Sequence, residues 1–382
     1  MTDVDVLIVG AGPAGCAAAI SLADFAPELN VCLVDAAMAD DARIGETVPP
    51  QIKPILEHLG LWPAFAGDGH CASYRTLSAW GTPRLLSNEF LFHAQQVGWR
   101  LDRPRFDAMI LAAAKARVAA HVANKAVHLA VADGIWRVRL GNGTTHTARA
   151  VVDATGRAAV LARLHGLRPT RLDRLVGAFM YFDDPAASAQ DLVIESVRDG
   201  WWYTTALPAG RRVAAFMTDA DLARRLEIGQ LEPWLRAFGA TDHVAAAASR
   251  ARPLGQPRLH GAGSQMLAGD TLQPLLCVGD AASSFDPVSG QGIVKALRSA
   301  IFASYAIGDW LKRNDSSGLQ RYRAFIKAEF AAYRRTLHEY YAGEQRWPAS
   351  AFWQRRHAAS MPPRDRQAAP DLFVPLTNSA AG

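Results

Sequence analysis

The sequence predicts an α/β chain: a Rossmann-like, parallel-stranded domain, an inserted antiparallel sheet, and a helical region at the C-terminal end. Three observations predict it. Residues 4–15, VDVLIVGAGPAG, run from a continuous apolar strand into a glycine turn and a helix of small residues. Two further buried-strand patterns, Val31–Val34 and Ala148–Ala154, lead into Asp35 and into a second glycine turn, Asp153-Ala154-Thr155-Gly156-Arg157. Between about residues 170 and 265 the pattern changes to short strand-like runs linked by turn residues.

In chain order, Val6–Val9 is the first strand and Gly10-Ala11-Gly12-Pro13-Ala14-Gly15 the turn after it. Gly10 permits the tight exit from the strand, Gly12 lets the backbone approach a pyrophosphate, and Gly15 lets the next helix pack closely. That helix, Ala14–Phe25, turns its free N–H groups and its dipole toward the phosphates. The strand Val31–Val34 ends on Asp35, about twenty residues past the last glycine, where a carboxylate accepts ribose hydroxyls. The loop Arg43–Pro50 enters a helix, Gln51–Leu59, and its Glu46 either caps that region or borders the ligand's reactive end.

Cys71–Trp80 and Phe90–Trp99 read as extended, and a helix starts near Leu101 and runs to Arg117 with Pro104 in its first turn. Lys125–Val131 and Ile135–Leu140 form a hairpin around Asp133-Gly134. Val176–Phe182, Asp191–Val197, Trp201–Leu207 and Arg212–Thr218 are antiparallel strands rich in aromatic residues. Trp202 and Tyr203 are either sheet core or the wall of an aromatic pocket. His93, on the apolar background Phe90-Leu91-Phe92, is either packed or an acid/base group. The strand Leu275–Val278 precedes Gly279-Asp280, and the loop Gly290-Gln291-Gly292 opens the helix Ile293–Leu311, whose bare N–H groups suit an electron-rich ring. A last long helix spans Gly318–Tyr341, and the residues past Met361 are expected to wander.

The 382 residues are half apolar and one-fifth charged, an ordinary globular composition with room for one to three domains. No apolar run reaches the roughly 18 residues of a membrane span, and no signal sequence precedes the first strand. Cys16, Cys32, Cys71 and Cys277 form no CxxC and read as buried free thiols; no metal site is expected, and a cytoplasmic setting is. The net charge of +5 resides in Arg321–Arg366, with ten Lys/Arg against four Asp/Glu. Such a tail suits solvent or an acidic protein partner, and no motif points to nucleic acid.

Three separated elements converge on one ligand: GxGxxG with Asp35, Arg103-x-x-Phe106-Asp107, and Gly279-Asp280 with Gly290 and Gly292. The combination resembles the FAD-dependent monooxygenases of the p-hydroxybenzoate hydroxylase fold, whose cofactor domain is of the glutathione-reductase type, together with flavin-dependent halogenases and geranylgeranyl reductases. The resemblance covers nearly the whole chain. It implies FAD, with Gly10, Gly12, Pro13, Ala14 and Gly15 at the pyrophosphate and Asp35 at the adenosine ribose. Arg103 and Val127 would lie along the cofactor, Arg43 and Glu46 near the flavin, Gly279 and Asp280 at the ribityl chain, and Pro287, Gly290, Gln291 and Gly292 at the isoalloxazine. The expected division is an FAD-binding domain over 1–70, 100–168 and 266–315, a substrate domain over 71–99 and 169–265, and a helical C-terminal region over 316–382.

Halogenases of this group carry a lysine near the segment that here reads Tyr74–Gly81, which has none, and a glutamate where Ser289 stands. Their WxWxIP signature is only loosely echoed by Trp201–Pro208. A narrower likeness lies in Arg43-Ile44-Gly45-Glu46, Ser78-Ala79-Trp80-Gly81, Gly98–Arg103 and Phe352-Trp353-Gln354-Arg355-Arg356. These segments resemble the flavoproteins that help build tryptophan-derived quinone cofactors inside a partner oxidase or dehydrogenase. The resemblance implies hydroxylation of an aromatic ring through a C4a-hydroperoxyflavin, with O2 as co-substrate and electrons from NAD(P)H or a separate flavin reductase. A peptidyl tryptophan is the implied substrate. A small free phenol or indole, halogenation, and a flavin-binding maturation chaperone without turnover are the alternatives. Candidate pocket residues are Glu46, Arg75, Trp80, His93, Trp202 and Tyr203.

Overall fold

The computed structural model describes residues 2–36, 44–185, 187, 192–267 and 274–358. The strand Thr2–Val9 lies at the centre of a seven-stranded sheet, parallel to Val31–Asp35 on one side and to Thr145–Asp153 on the other. Ala120–Ala123 extends the sheet beyond Val31–Asp35. The far edge of Thr145–Asp153 is shared: its first half pairs with the hairpin Ala126–Ala132 and Ile135–Leu140, its second half with Leu275–Cys277. That returning strand brings the chain back beside the first glycine turn after more than a hundred intervening residues.

The helix Pro13–Phe25 sits between this sheet and the long helix Gly292–Arg313. Its run of Cys16, Ala17, Ala18 and Ala19 is fully buried, and such small side chains let the helices approach until Ser304 Oγ donates to the Ala18 carbonyl at 3.1 Å. The helix Arg103–Lys115 flanks it, capped by Asp102, whose carboxylate accepts the Arg105 N–H.

A second seven-stranded sheet runs Arg252–Gly261, Leu175–Asp183, Arg211–Asp219, Gly200–Leu207, Leu192–Val197, Arg75–Ala79, Leu86–Glu89. The four strands expected between residues 176 and 218 pair antiparallel as expected, and Leu192–Val197 also runs parallel to Arg75–Ala79. One face packs on Tyr341, Phe352 and Trp353 of the C-terminal helices. The other is covered by the helices Ala220–Arg225, Leu231–Gly239 and His243–Ala247, which the sequence pattern did not mark.

Two expectations need correction. Residues 90–99 are not one extended run. Phe90 is buried while Leu91 and Phe92 are exposed, which an alternating strand does not allow, and the chain forms a 3-10 turn at Phe90–Phe92 before a short strand, Gly98–Arg100. The basic C-terminal stretch is not wholly free for a partner. Arg355 binds Asp219 and Asp221, and Arg356 binds Asp219, within this same chain. The residues past Met361 lie outside the described ones. Among the described residues no helix is long and apolar enough to cross a membrane.

Candidate active site

Three turns from the first sheet and one face of the second enclose a cavity of about 1750 Å³. The first turn needs its glycines. Gly10 has φ +105°, and a Cβ there would run into the Ala154 carbonyl; one on Gly15 would run into the carbonyl of Gly10. Gly15 therefore sits behind the wall and lets the helix close on the turn. Gly12 is different: nothing lies within 4 Å of its would-be Cβ, and it faces the cavity together with Gly10, Pro13 and Ala14. The helix begins at Pro13, so its unbonded N–H groups open on the same space. Asp35 also lines the cavity and accepts the Ala11 N–H at 3.4 Å.

Arg103, at the first position of its helix, clamps the next loop. Its Nη1 donates to the Ile44 carbonyl at 2.6 Å and its Nη2 to the Asp107 carboxylate at 3.1 Å. This holds Gly45 and Glu46 against the cavity. Glu46 is 3% exposed; Tyr181 Oη–H donates to its Oε1 at 2.8 Å and the Gly45 N–H to its Oε2 at 2.9 Å. Burial pushes its carboxyl above the usual carboxylate range, only partly opposed by Tyr181 and by the Arg103 charge.

The third turn follows Leu275–Cys277. Gly279, with φ +58°, stands behind the wall, its N–H bonded to Ser299 Oγ, while Asp280 faces the cavity. Burial raises the Asp280 carboxyl, but the Lys295 and Arg157 charges outweigh it and hold the group below its ordinary range. Asp286 accepts the Val288 N–H and the Tyr341 hydroxyl, and burial together with the Asp173 charge pushes it up to about 6. Pro287, Gly290, Gln291 and Gly292 then line the cavity at the start of the helix Gly292–Arg313, and no atom stands where a Cβ of Gly290 or Gly292 would be.

Beyond that loop the walls are aromatic: Trp80, Phe179, Trp201, Tyr203 and Tyr340. Of the sequence's candidate pocket residues, Tyr203 and Trp80 line the cavity. Trp202 does not. It is 1% exposed on the opposite face of the sheet, stacked on Phe216 at 4.7 Å and edge-on to Trp234. The sequence reading missed Trp201, although period-two alternation from Tyr203 marks it. Arg75 does not line the cavity, whereas Thr76, Ser78 and Trp80 do; it pairs with Glu89, a half-exposed residue at the cavity's rim. His93 lies just past the turn at Phe90–Phe92, where its Nδ1 accepts the Gln95 N–H; Phe90 and Phe92 border the cavity and His93 does not. Val127 points outward on the edge strand, and its neighbour Ala126 supplies the wall. Arg43 lies outside the described residues.

Asp35, the bare glycine turn, Arg103, Asp280 and the open glycine loop fit an extended FAD. The first turn leaves a cradle that a Cβ on Gly12 would fill, and a helix N-terminus faces each end of the path.

The family model for pyridine nucleotide-disulphide oxidoreductases matches residues 4–192. A protein of Marinomonas mediterranea described as the FAD-dependent oxidoreductase LodB is 31% identical over 370 residues, spanning 94% of this chain and 98% of that one. Among solved structures, the myxobacterial chondrochloren halogenase CndH superposes with a TM-score of 0.84 at 20% identity, over 93% of this chain and 86% of its own. The peptidyl tryptophan dihydroxylase QhpG, essential for tryptophylquinone cofactor biogenesis, does so with a TM-score of 0.67 at 24% identity, over 93% and 79%. Those two share the fold. Similarity to LodB over almost the full length of both chains, on top of three turns shaped for the cofactor, places this protein in the family of FAD-dependent oxidoreductases.

Proposed function

We propose that the protein is a monooxygenase that hydroxylates an aromatic ring, and that the ring is a tryptophan side chain of a partner polypeptide undergoing quinone-cofactor formation. The observation that carries this reading is the chamber of Trp80, Phe179, Trp201, Tyr203 and Tyr340 beyond the Gly290–Gly292 loop. Aromatic walls hold an electron-rich ring by edge and face contacts and keep water out. When bound, FAD supplies the electron transfer and the activation of dioxygen.

The chain's own residues have the remaining tasks. Asp35, Gly12, Arg103 and Asp280 bind and orient the cofactor, with the first sheet as the FAD-binding part and the second as the substrate part. The N–H groups at the start of Gly292–Arg313 stabilise negative charge at the flavin end. Glu46, a carboxylate in the chamber wall, takes the proton that the ring loses as aromaticity returns.

The likeness to QhpG, a peptidyl tryptophan dihydroxylase, favours a protein-borne substrate over a free phenol or indole. Halogenation is disfavoured by the absence of lysine from the strand that carries Thr76, Ser78 and Trp80 into the chamber.

The test is co-expression with a quinoprotein precursor under a flavin reductase or NAD(P)H supply. Mass spectrometry should find oxygen added at a precursor tryptophan. If the precursor stays unmodified while a small phenol or indole is hydroxylated and stimulates NAD(P)H consumption, the free-aromatic reading replaces this one. Co-purification with a partner without any flavin reduction would make the protein a maturation chaperone.

A further inference from the structure

We propose that Tyr181 is a proton relay, joining Glu46 in the chamber wall to a second, smaller cavity that meets solvent at the edge of the sheet. The inference rests on the reading of Glu46 as the group that takes the substrate proton, and it adds the route by which that proton leaves.

The two cavities lie on either side of one hydrogen bond. Glu46 lines the large chamber. Tyr181, whose hydroxyl is 2.8 Å from Glu46 Oε1, lines a second cavity of about 80 Å³ with Gln256 and with Phe179 and Arg258, which also border the chamber. Gln256 and Arg258 are exposed, so that cavity reaches solvent. It exists because the edge strand Arg252–Gly261 bulges. Phe179 opposes Arg258 and Tyr181 opposes Leu254, and Gly255, with φ +76°, takes up the kink. A space of that size with Gln256 and Arg258 in its wall holds more than one water.

Glu46 is nearly enclosed, and once a substrate ring fills the chamber side its proton needs an exit on the side away from the ring. Arg103 approaches the pair from its helix, Tyr203 from the strand Gly200–Leu207, one strand removed from that of Tyr181, and Arg258 from the edge strand. Arg103 favours the ionised carboxylate that must be regenerated. Burial and the Glu46 charge keep the Tyr181 hydroxyl far from ionising, so it passes a proton without becoming a tyrosinate.

The step balances. With Glu46 ionised, Tyr181 Oη–H donates to Oε1. Glu46 takes a proton from the ring carbon, and the electrons of that C–H bond return to the π-system. The Glu46 O–H then donates to Tyr181 Oη while the tyrosine hydrogen passes to a water in the smaller cavity. Tyr181 is unchanged, Glu46 is again a carboxylate, and one proton has moved from ring carbon to solvent.

The test uses FAD-loaded wild type, Tyr181→Phe and Glu46→Gln. The protonated-carboxyl stretch of Glu46 is identified in infrared titration by its loss in Glu46→Gln. In Tyr181→Phe its midpoint should move up, since the carboxylate loses a donor. Its hydrogen–deuterium exchange on rapid mixing into D2O should slow by about 10²-fold, the lower range for a positioned acid–base group, with partial recovery in imidazole buffer. An unchanged midpoint and exchange rate in Tyr181→Phe, or no titrating carboxyl that Glu46→Gln removes, overturns the relay. A wild type that oxygenates no aromatic substrate while the exchange still depends on Tyr181 would overturn the monooxygenase reading and leave the relay standing.

Discussion

Lys295 places its ammonium 2.8 Å from Asp280 Oδ1, on the Ser283 carbonyl and 4.8 Å over the Phe285 ring, with its side chain 1% exposed. The cation thus ties three points of the loop that follows Leu275–Cys277. Lys295→Met should cost about 1.5–3 kcal/mol, the range for hydrogen bonds to charged groups. The full penalty for splitting a buried ion pair does not apply, because Asp280 is a third exposed and keeps Arg157 at 3.5 Å. The sign with pH follows from the depressed Asp280 carboxyl. Its stabilisation is present above the ordinary aspartate range and is lost as pH falls through the folded-state value. Thermal unfolding of wild type and Lys295→Met should therefore converge in acid. Titration of the apoprotein with FAD should show weaker binding by the variant.

Asp286 titrates in the opposite sense. Burial and the Asp173 charge raise it from 3.8 to about 6, so the folded chain prefers the protonated form. The stability it contributes is complete below about pH 4 and falls as pH rises, by about 3 kcal/mol once pH exceeds 6. Asp286→Asn retains an oxygen for the Val288 N–H and an amide toward the Tyr341 hydroxyl. Denaturant unfolding from pH 4 to 7 should show the wild type losing this increment and the variant not. Parallel curves would mean that the two carboxylate oxygens are better satisfied than their burial implies.

The neighbours Trp201 and Trp202 should separate function from stability. Trp202→Ala empties a site packed by Phe216, Trp234 and Phe238 and should cost about 3–5 kcal/mol, with the chamber intact. Trp201→Phe keeps an aromatic ring in the chamber but removes the Nε1–H that donates to Tyr341 at 3.0 Å. Turnover should change far more than melting temperature. Equal effects of the two substitutions on both measurements would contradict the assignment of faces.

The same pair shows where the sequence stops being informative. The glycine turns, Asp35 and Asp280 were legible because a strand, a turn and a helix in fixed order leave few ways to bring backbone to a phosphate. Trp202 was not, since both faces of Gly200–Leu207 are buried and aromatic alternation then carries no sign. The sign comes from the helices between residues 220 and 247 that cover one face, each only five to nine residues long and so easily missed. Arg75 could have been placed, because Trp80 fixes the phase of its strand and puts even-numbered residues in the chamber. Tyr181 and Lys295 gave no local signal at all: their roles depend on Glu46 and Asp280, which lie 135 and 15 residues away.

Two glycines of the first turn should fail differently when changed to alanine. At Gly15 the added methyl meets the Gly10 carbonyl, and neither the strand exit nor the helix can shift without breaking the other. Gly15→Ala should therefore yield little folded protein. At Gly12 the backbone is at φ −73°, suited to any residue, and the space around the new methyl is empty. Gly12→Ala should unfold within about 0.5 kcal/mol of wild type, as surface substitutions do. That empty space is where a pyrophosphate must come within contact of the backbone. The variant should thus purify folded but colourless, with flavin titration showing at least a tenfold loss of affinity, about 1.4 kcal/mol. A yellow Gly12→Ala protein with unaltered affinity would mean that the cofactor does not cross this turn, whatever the shape of the cavity beyond it.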